Sequence, residues 1–406
     1  MPLCSLAPVT LSTVDILDGL SYTFQSSITY AGDEVQPLKL CKNMISLLAN
    51  CSAVFLSKIF HKIRPIIVHL NVTNRCNLKC NFCYNQGNTA PEMTRQEYMK
   101  IIDCLAAAGT IKITLLGGEP FLREDLEFLV QYAKKHIRYV FLTTNGLFPL
   151  AENPQIVSAL DGLSFSINEA FTLGVWQKIA ENIKYACRMN KTVSLSYILI
   201  HTNCQKLEEI LTFTKTHNIG TYFTPAIHST LPMQHKAQEE IQRIIKAKQD
   251  GYPVIDSFTY LRGLNKRNPK KNCYAGKLFF VVNTNGDLYP CLNFIGKSQF
   301  VMGNLLQSGF RFDTIRYAPP CNQCNWNCHE EANYLFSFHP ERSGKRVEDD
   351  VARCGLRTPA IRKSLSGKVQ RHRSDCWELT SAPATSRTPG ISAPLTLWMR
   401  CSSCLL

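Results

Sequence analysis

Three cysteines stand within eight residues at Cys76, Cys80 and Cys83, spaced C-x3-C-x2-C in the stretch CNLKCNFCYN. Thiols clustered this tightly in a long chain are metal or cluster ligands before they are a disulfide framework. A structural zinc site closes with four ligands, usually as two paired knuckles, and no fourth Cys or His lies near these three. A [4Fe–4S] cubane held by three thiolates keeps one iron open. An open coordination position is where a metal site meets a small molecule. The spacing therefore points to a cluster whose vacancy receives a substrate or cofactor.

The elements that must position this loop are legible as an alternation. Ile66 to Thr73 is β-rich and runs into the cysteines. Met93 to Gly109 has helical spacing, with Thr94 as N-cap, Glu97 three residues later and Gly109 as the stop. Strands follow over Ile111–Gly118, Tyr139–Gly146, Gly162–Asn168, Thr192–Ile200 and Gly220–Ile227. Helical patterns occupy Arg123–His136, Phe171–Asn190, Gln205–His217 and Pro232–Gln249. Six strands alternating with helices predict a parallel sheet with right-handed crossovers. The fold class expected is α/β: a partial (β/α)6 TIM-like barrel, since a full eightfold barrel needs about 250 residues. Ligands gather at the C-terminal ends of such strands. There stand the cysteine loop, GGEP (Gly117–Pro120), TTNG (Thr143–Gly146) and SIN (Ser166–Asn168).

CNLKCNFCY followed by LLGGEP and TTNG on successive strands resembles the radical S-adenosylmethionine (radical SAM) superfamily, over about Pro65 to Ile227. That resemblance implies that Cys76, Cys80 and Cys83 hold a [4Fe–4S] cluster whose open iron is chelated by the methionine part of S-adenosylmethionine. One electron would then break the C5′–S bond, and the 5′-deoxyadenosyl radical would take a hydrogen atom from a substrate. It further implies cofactor contacts at Gly117 and Gly118, where backbone approaches closely, and at Glu119, which accepts from the ammonium group. Thr144 and Asn145 would face the ribose or the carboxylate, and Phe82 would shield the cluster. Ser166 and Asn168 stand where the family often reads Ser-x-Asp, with Asn in place of the Asp. His201 and Asn203 are weaker strand-end candidates. No catalytic side chain is legible.

Past residue 270 the pattern changes. Lys277 to Phe294 is two strands around Asn285-Gly286, a hairpin signal. Cys273 and Cys291 flank it, and Cys321, Cys324 and Cys328 follow. Cys273, twelve residues, Gly286, four residues and Cys291 resemble the start of the SPASM and twitch auxiliary-cluster domains. The resemblance implies one auxiliary Fe–S cluster on Cys273, Cys291, Cys321 and Cys324, with Cys328 as a substitute. A zinc knuckle built from the same thiolates is the alternative. Cys4, Cys41, Cys51, Cys104, Cys187 and Cys204 are isolated and read as small apolar residues.

The division expected is an N-terminal extension (1–64), a core (65–250), a cysteine-rich module (270–335) and a basic tail (341–406). The tail carries 12 Lys/Arg against 6 Asp/Glu, which accounts for +6 of the net charge of +14. It reads as disordered or frame-shifted. The remaining charge is thinly spread, so no specific nucleic-acid partner is expected. The apolar run Met44 to Leu56 is 13 residues, short of the roughly 20 that span a bilayer, and reads as a packed or interfacial helix. Met1 to Leu11 lacks a basic start followed by an apolar run. These features, with the clustered thiols, predict a reducing cytoplasm, and the resemblance implies an electron donor such as flavodoxin or ferredoxin. The substrate expected is a peptide or small molecule. The alternative function is a catalytically silent Fe–S or zinc protein that binds a partner.

Overall fold

The computed structural model describes residues 63–171, 173–199, 206–225, 235–264, 273–315 and 326. Residues 1–62 of the N-terminal extension, His201, Asn203, Cys321, Cys324, Cys328 and the basic tail lie outside the described residues. Among the described residues nine strands form one sheet that does not close. They are β1 (Ile67–Thr73), β2 (Lys112–Gly117), β3 (Tyr139–Thr144), β4 (Gly162–Ser166), β5 (Thr192–Leu199), β6 (Gly220–Pro225), β7 (Phe279–Val282), β8 (Asp287–Tyr289) and β9 (Gly303–Asn304). Their order is β6-β5-β4-β3-β2-β1-β7-β8-β9. All pairs from β6 through β1 to β7 are parallel. The β7–β8 and β8–β9 pairs are antiparallel.

Parallel neighbours require crossovers, and the helices supply them. They are α1 (Arg95–Ala107), α2 (Leu126–His136), α3 (Pro154–Ala159), α4 (Trp176–Arg188), α5 (Leu207–His217), α6 (His235–Gln249) and α7 (Phe258–Gly263). Strands placed one after another in sequence order, with crossovers of one hand, put the helices on a single face. The core shows this: Val68, Leu70, Val72, Ile113, Leu115, Val140 and Leu142 pack with Ile101 and Leu105 of α1 and Leu129 and Val130 of α2. Thr94 and Glu97 form the expected capping box at the start of α1, a device of about 1 kcal/mol. Gly109, at φ +87°, follows the helix end at Ala108.

The short helices α3 and α7 and strand β9 are additions to the sequence-based reading. Two expected helices begin later than their spacing implies. α2 starts at Leu126 rather than Arg123. Arg123 is instead buried, its guanidinium donating to the Val72 and Met93 carbonyls (2.8 and 3.1 Å) and to Asp125. α4 starts at Trp176 rather than Phe171. The Asn285-Gly286 hairpin is present, with Gly286 at φ +84°. It is continuous with the barrel strands, because β7 pairs directly with β1 from Ile67↔Phe279 to Leu70↔Val282.

Candidate functional site

The strand-end motifs are joined to one another by hydrogen bonds. Glu119 follows the two glycines that end β2 and is fully buried. Its carboxylate caps the one-turn helix Pro120–Leu122 by accepting from Phe121 N (3.2 Å). It also accepts from the Thr144 hydroxyl (2.9 Å) and the Asn145 backbone N–H (2.7 Å), both at the end of β3. Burial is the largest influence on this carboxyl and pushes its pKa up to about 7, against the opposing pull of its three donors. Asn145 then spans to the cysteine loop, its side-chain amide donating to Asn77 Oδ1 at 2.7 Å. Asn182 of α4 fixes the turn after Asn145. It donates to the Gly146 and Phe148 carbonyls (both 2.8 Å) and accepts from Leu150 N (3.0 Å).

Gly117 and Gly118 permit close approach, and the partner is the chain's own backbone. A Cβ on Gly117, which sits at φ +138°, would lie 2.2 Å from the Thr73 carbonyl oxygen. One on Gly118 would lie 2.0 Å from the Arg75 carbonyl oxygen. Two further bonds stitch the same seam, Gly118 N to Thr73 O (2.7 Å) and Glu119 N to Arg75 O (2.8 Å). The glycines thus press the segment entering the cysteine loop against the end of β2.

Within the loop, Cys76 is exposed, and Cys80 and Cys83 are half-buried. The Leu78 N–H donates to Cys76 Sγ (3.4 Å), and Cys83 N to the Cys80 carbonyl (3.1 Å). Burial raises the pKa of all three thiols, Cys80 up to about 12. The three also repel one another's thiolate forms, Cys80 feeling both Cys83 and Cys76. They stand within eight residues of one another on a single loop. Among the described residues no three Cys, His, Asp or Glu side chains are gathered as a shell for one ion. A cubane offers each thiolate its own iron and so spreads its ligands wider than a single ion does. Three neighbouring thiols with an N–H donor to sulfur fit such a cluster.

Residues 70–214 match the family model described as the radical SAM superfamily. Over this stretch the chain is similar to the radical SAM superfamily. The chain is 26% identical over 273 residues to the mycofactocin maturase MftC of Mycolicibacterium smegmatis, covering 60% of this chain and 68% of that protein. It is 31% identical over 175 residues to the GTP 3′,8-cyclase of Lactiplantibacillus plantarum, covering 38% of this chain and 52% of that one. Both relatives are enzymes by name. Among solved structures, Streptococcus suis SuiB bound to S-adenosylmethionine shares the fold at TM-score 0.52 and 15% identity, over 65% of this chain and 69% of that one.

The fourth-strand motif is placed differently from the first three. Asn168 is buried, and its Oδ1 accepts from Ile198 N at 2.6 Å, tying the end of β4 to β5. Ser166 is half-buried beside Ser196. Glu169, the next residue after Asn168, acts electrostatically on the Cys80 thiol; its position after SIN was the only signal available in the sequence. Phe82 is half-buried in the loop. On the face of β4–β6 opposite the main core, Ser164 Oγ lies 2.8 Å from Tyr222 Oη.

Of the second cysteine group, Cys273 is half-buried and precedes β7, and Cys291 is buried and follows β8. Trp326, which falls between Cys324 and Cys328 in sequence, rests 6.3 Å edge-on from the Tyr84 ring and donates to Asn293 Oδ1 at 2.7 Å. Tyr84 follows Cys83 directly, and its hydroxyl bonds to Asn71 and to the Gly117 carbonyl (both 3.3 Å).

Proposed function

We propose that this chain is a radical SAM enzyme acting on a peptide, with Cys76, Cys80 and Cys83 holding a [4Fe–4S] cluster. The core would span 65–250, and an auxiliary Fe–S module would span 270–335 on Cys273, Cys291, Cys321 and Cys324, with Cys328 as substitute. When bound and reduced, the cluster supplies the electron that splits S-adenosylmethionine into methionine and a 5′-deoxyadenosyl radical. One observation carries the reading: the Glu119 carboxylate ties the ends of β2 and β3 together while Asn145 ties β3 to the cysteine loop. Three separate sequence motifs thereby share one polar site.

In this reading Glu119 holds Thr144 and Asn145 in place and faces the cofactor's ammonium. A carboxylate has about four lone-pair positions. Three of those on Glu119 are taken by Phe121, Thr144 and Asn145, which leaves one on Oε2. Phe82 shields the cluster, Gly117 and Gly118 shape the wall, and Ser166 and Asn168 line the fourth strand end. A peptide substrate is supported by the maturase relative, whose match covers more of this chain than the cyclase match does. No described helix is long and apolar enough to cross a membrane. We place the protein in a reducing cytoplasm with flavodoxin or ferredoxin as electron donor.

The test is anaerobic reconstitution with iron and sulfide, then dithionite and S-adenosylmethionine, with chromatography for 5′-deoxyadenosine. Formation by the wild type and loss in Cys76→Ala is the expected result. A demonstrable cluster that yields no 5′-deoxyadenosine would favour a catalytically silent binding protein.

A further inference from the structure

A second polar network lies behind the cysteine loop. Asn71 of β1, fully buried, donates to Asn85 Oδ1 (3.1 Å), and Asn85 donates to Asn74 Oδ1 (3.3 Å). The Asn88 side-chain nitrogen lies 2.7 Å from Asn85 Oδ1, 2.9 Å from Asn74 Oδ1 and 2.8 Å from Asn283 Oδ1. Two N–H bonds serve three acceptors, so one is shared. Asn283 returns the contact, donating to Asn88 Oδ1 at 3.2 Å. Asn74 donates to Thr284 Oγ1 (3.0 Å) and the Ala90 carbonyl (2.8 Å). Asn283 and Thr284 form the tip of the β7–β8 hairpin, about 195 residues from Asn88 in sequence.

We infer that Asn88 and Asn283 are positioning residues: their reciprocal amide pair clamps the exit of the cysteine loop to the hairpin tip and so sets where Cys83 stands. This rests on the reading of Cys76, Cys80 and Cys83 as cluster ligands. The backbone between Cys83 and Asn88 is otherwise held by the turn bonds Gln86 N to Cys83 O (3.3 Å) and Asn88 N to Asn85 O (3.2 Å). These are internal to the segment and cannot orient it on the sheet. The amide network supplies that orientation together with Tyr84, whose hydroxyl bonds to Asn71 and the Gly117 carbonyl, and the hairpin supplies one side of it. The same hairpin leads straight to Cys291, so the two cysteine groups share a mechanical mount.

The experiment is a double-mutant cycle of Asn88→Ala, Asn283→Ala and the pair, read in two ways. In the cluster-free full chain, amide hydrogen exchange is followed over residues 80–90. In the reconstituted full chain, the change that S-adenosylmethionine makes to the electron paramagnetic resonance of the reduced cluster is titrated. Each single variant is expected to speed exchange over 83–88 and to weaken the cofactor-induced signal about fivefold to tenfold, as loss of one or two buried hydrogen bonds implies. Iron content should stay near that of the wild type. The double variant should be no worse than Asn88→Ala alone, because the contact that Asn283 supplies is already lost there. Unchanged exchange over 83–88 in Asn283→Ala, or fully additive effects, overturns the inference. A wild type with no cluster or no cofactor response would refute the proposed function instead, and the exchange measurement would still decide the role of the pair.

Discussion

The backbone N–H of Asn145 meets the Glu119 carboxylate at 2.7 Å, although the two residues belong to different strand ends and stand 26 apart in sequence. Neither Thr144 nor Asn145 can move without uncovering a buried carboxylate. Replacing Glu119 by Gln keeps the shape but sets an amide NH2 against one of three donors. Glu119→Gln should therefore weaken S-adenosylmethionine binding by at least about tenfold and destabilise the chain by roughly 1–3 kcal/mol. Calorimetric titration of the reconstituted protein and a urea melt check the two effects.

The same carboxyl gives a pH signature. Its folded pKa of about 7 lies above the ordinary 4.5, so between those values the folded chain binds more protons than the unfolded one. Stability from this group is highest below pH 4.5 and falls as pH rises towards 7. The wild type should lose stability relative to Glu119→Gln across that window and run parallel to it above. Urea midpoints at pH 5, 6, 7 and 8 on the cluster-free chain test this; a constant difference would contradict it.

At Gly118 a methyl group would meet the Arg75 carbonyl oxygen at 2.0 Å. Backbone cannot yield as a flexible side chain does, so Gly118→Ala should push the cysteine loop away from β2. The expected cost is about 1–3 kcal/mol, with reduced iron per chain after reconstitution. Iron analysis beside a thermal melt measures both.

Asn182 is buried and makes three bonds to the turn after Asn145. Asn182→Ala leaves two carbonyls and one N–H without their partner. A loss of at least about 2 kcal/mol is expected, since each stranded buried group costs about 1–3 kcal/mol. Chemical denaturation measures it, and weaker cofactor binding should accompany it.

Cys76 is exposed, and Cys76→Ala should leave the melting temperature of the cluster-free chain within about 2 °C, as surface substitutions do. Iron retention and 5′-deoxyadenosine formation should both be lost.

The alternation of strands and helices was legible because each β-strand has an apolar face packed against amphipathic helices, as Val68, Leu70 and Val72 are against α1. The cysteine loop, GGEP and TTNG were legible because their residue types are unusual at strand ends. The bonding among them was not. Glu119 to Asn145 and Asn88 to Asn283 are tertiary contacts between common polar residues, and no periodicity marks them. The glycine pair was legible as a close approach, but spacing could not say that the approaching group was Arg75 rather than a ligand. Asn182 lies on a helix whose apolar period hides it.

The pairing of β7 with β1 has a consequence for any shortened form of the protein. Stripped of residues beyond 270, β1 would become a margin of the sheet, with the backbone groups of Ile67 to Leu70 that now face β7 left bare. Such a border recruits foreign strands. A fragment containing every cofactor motif would be expected to stick to itself, and the smallest well-behaved unit must carry the hairpin along.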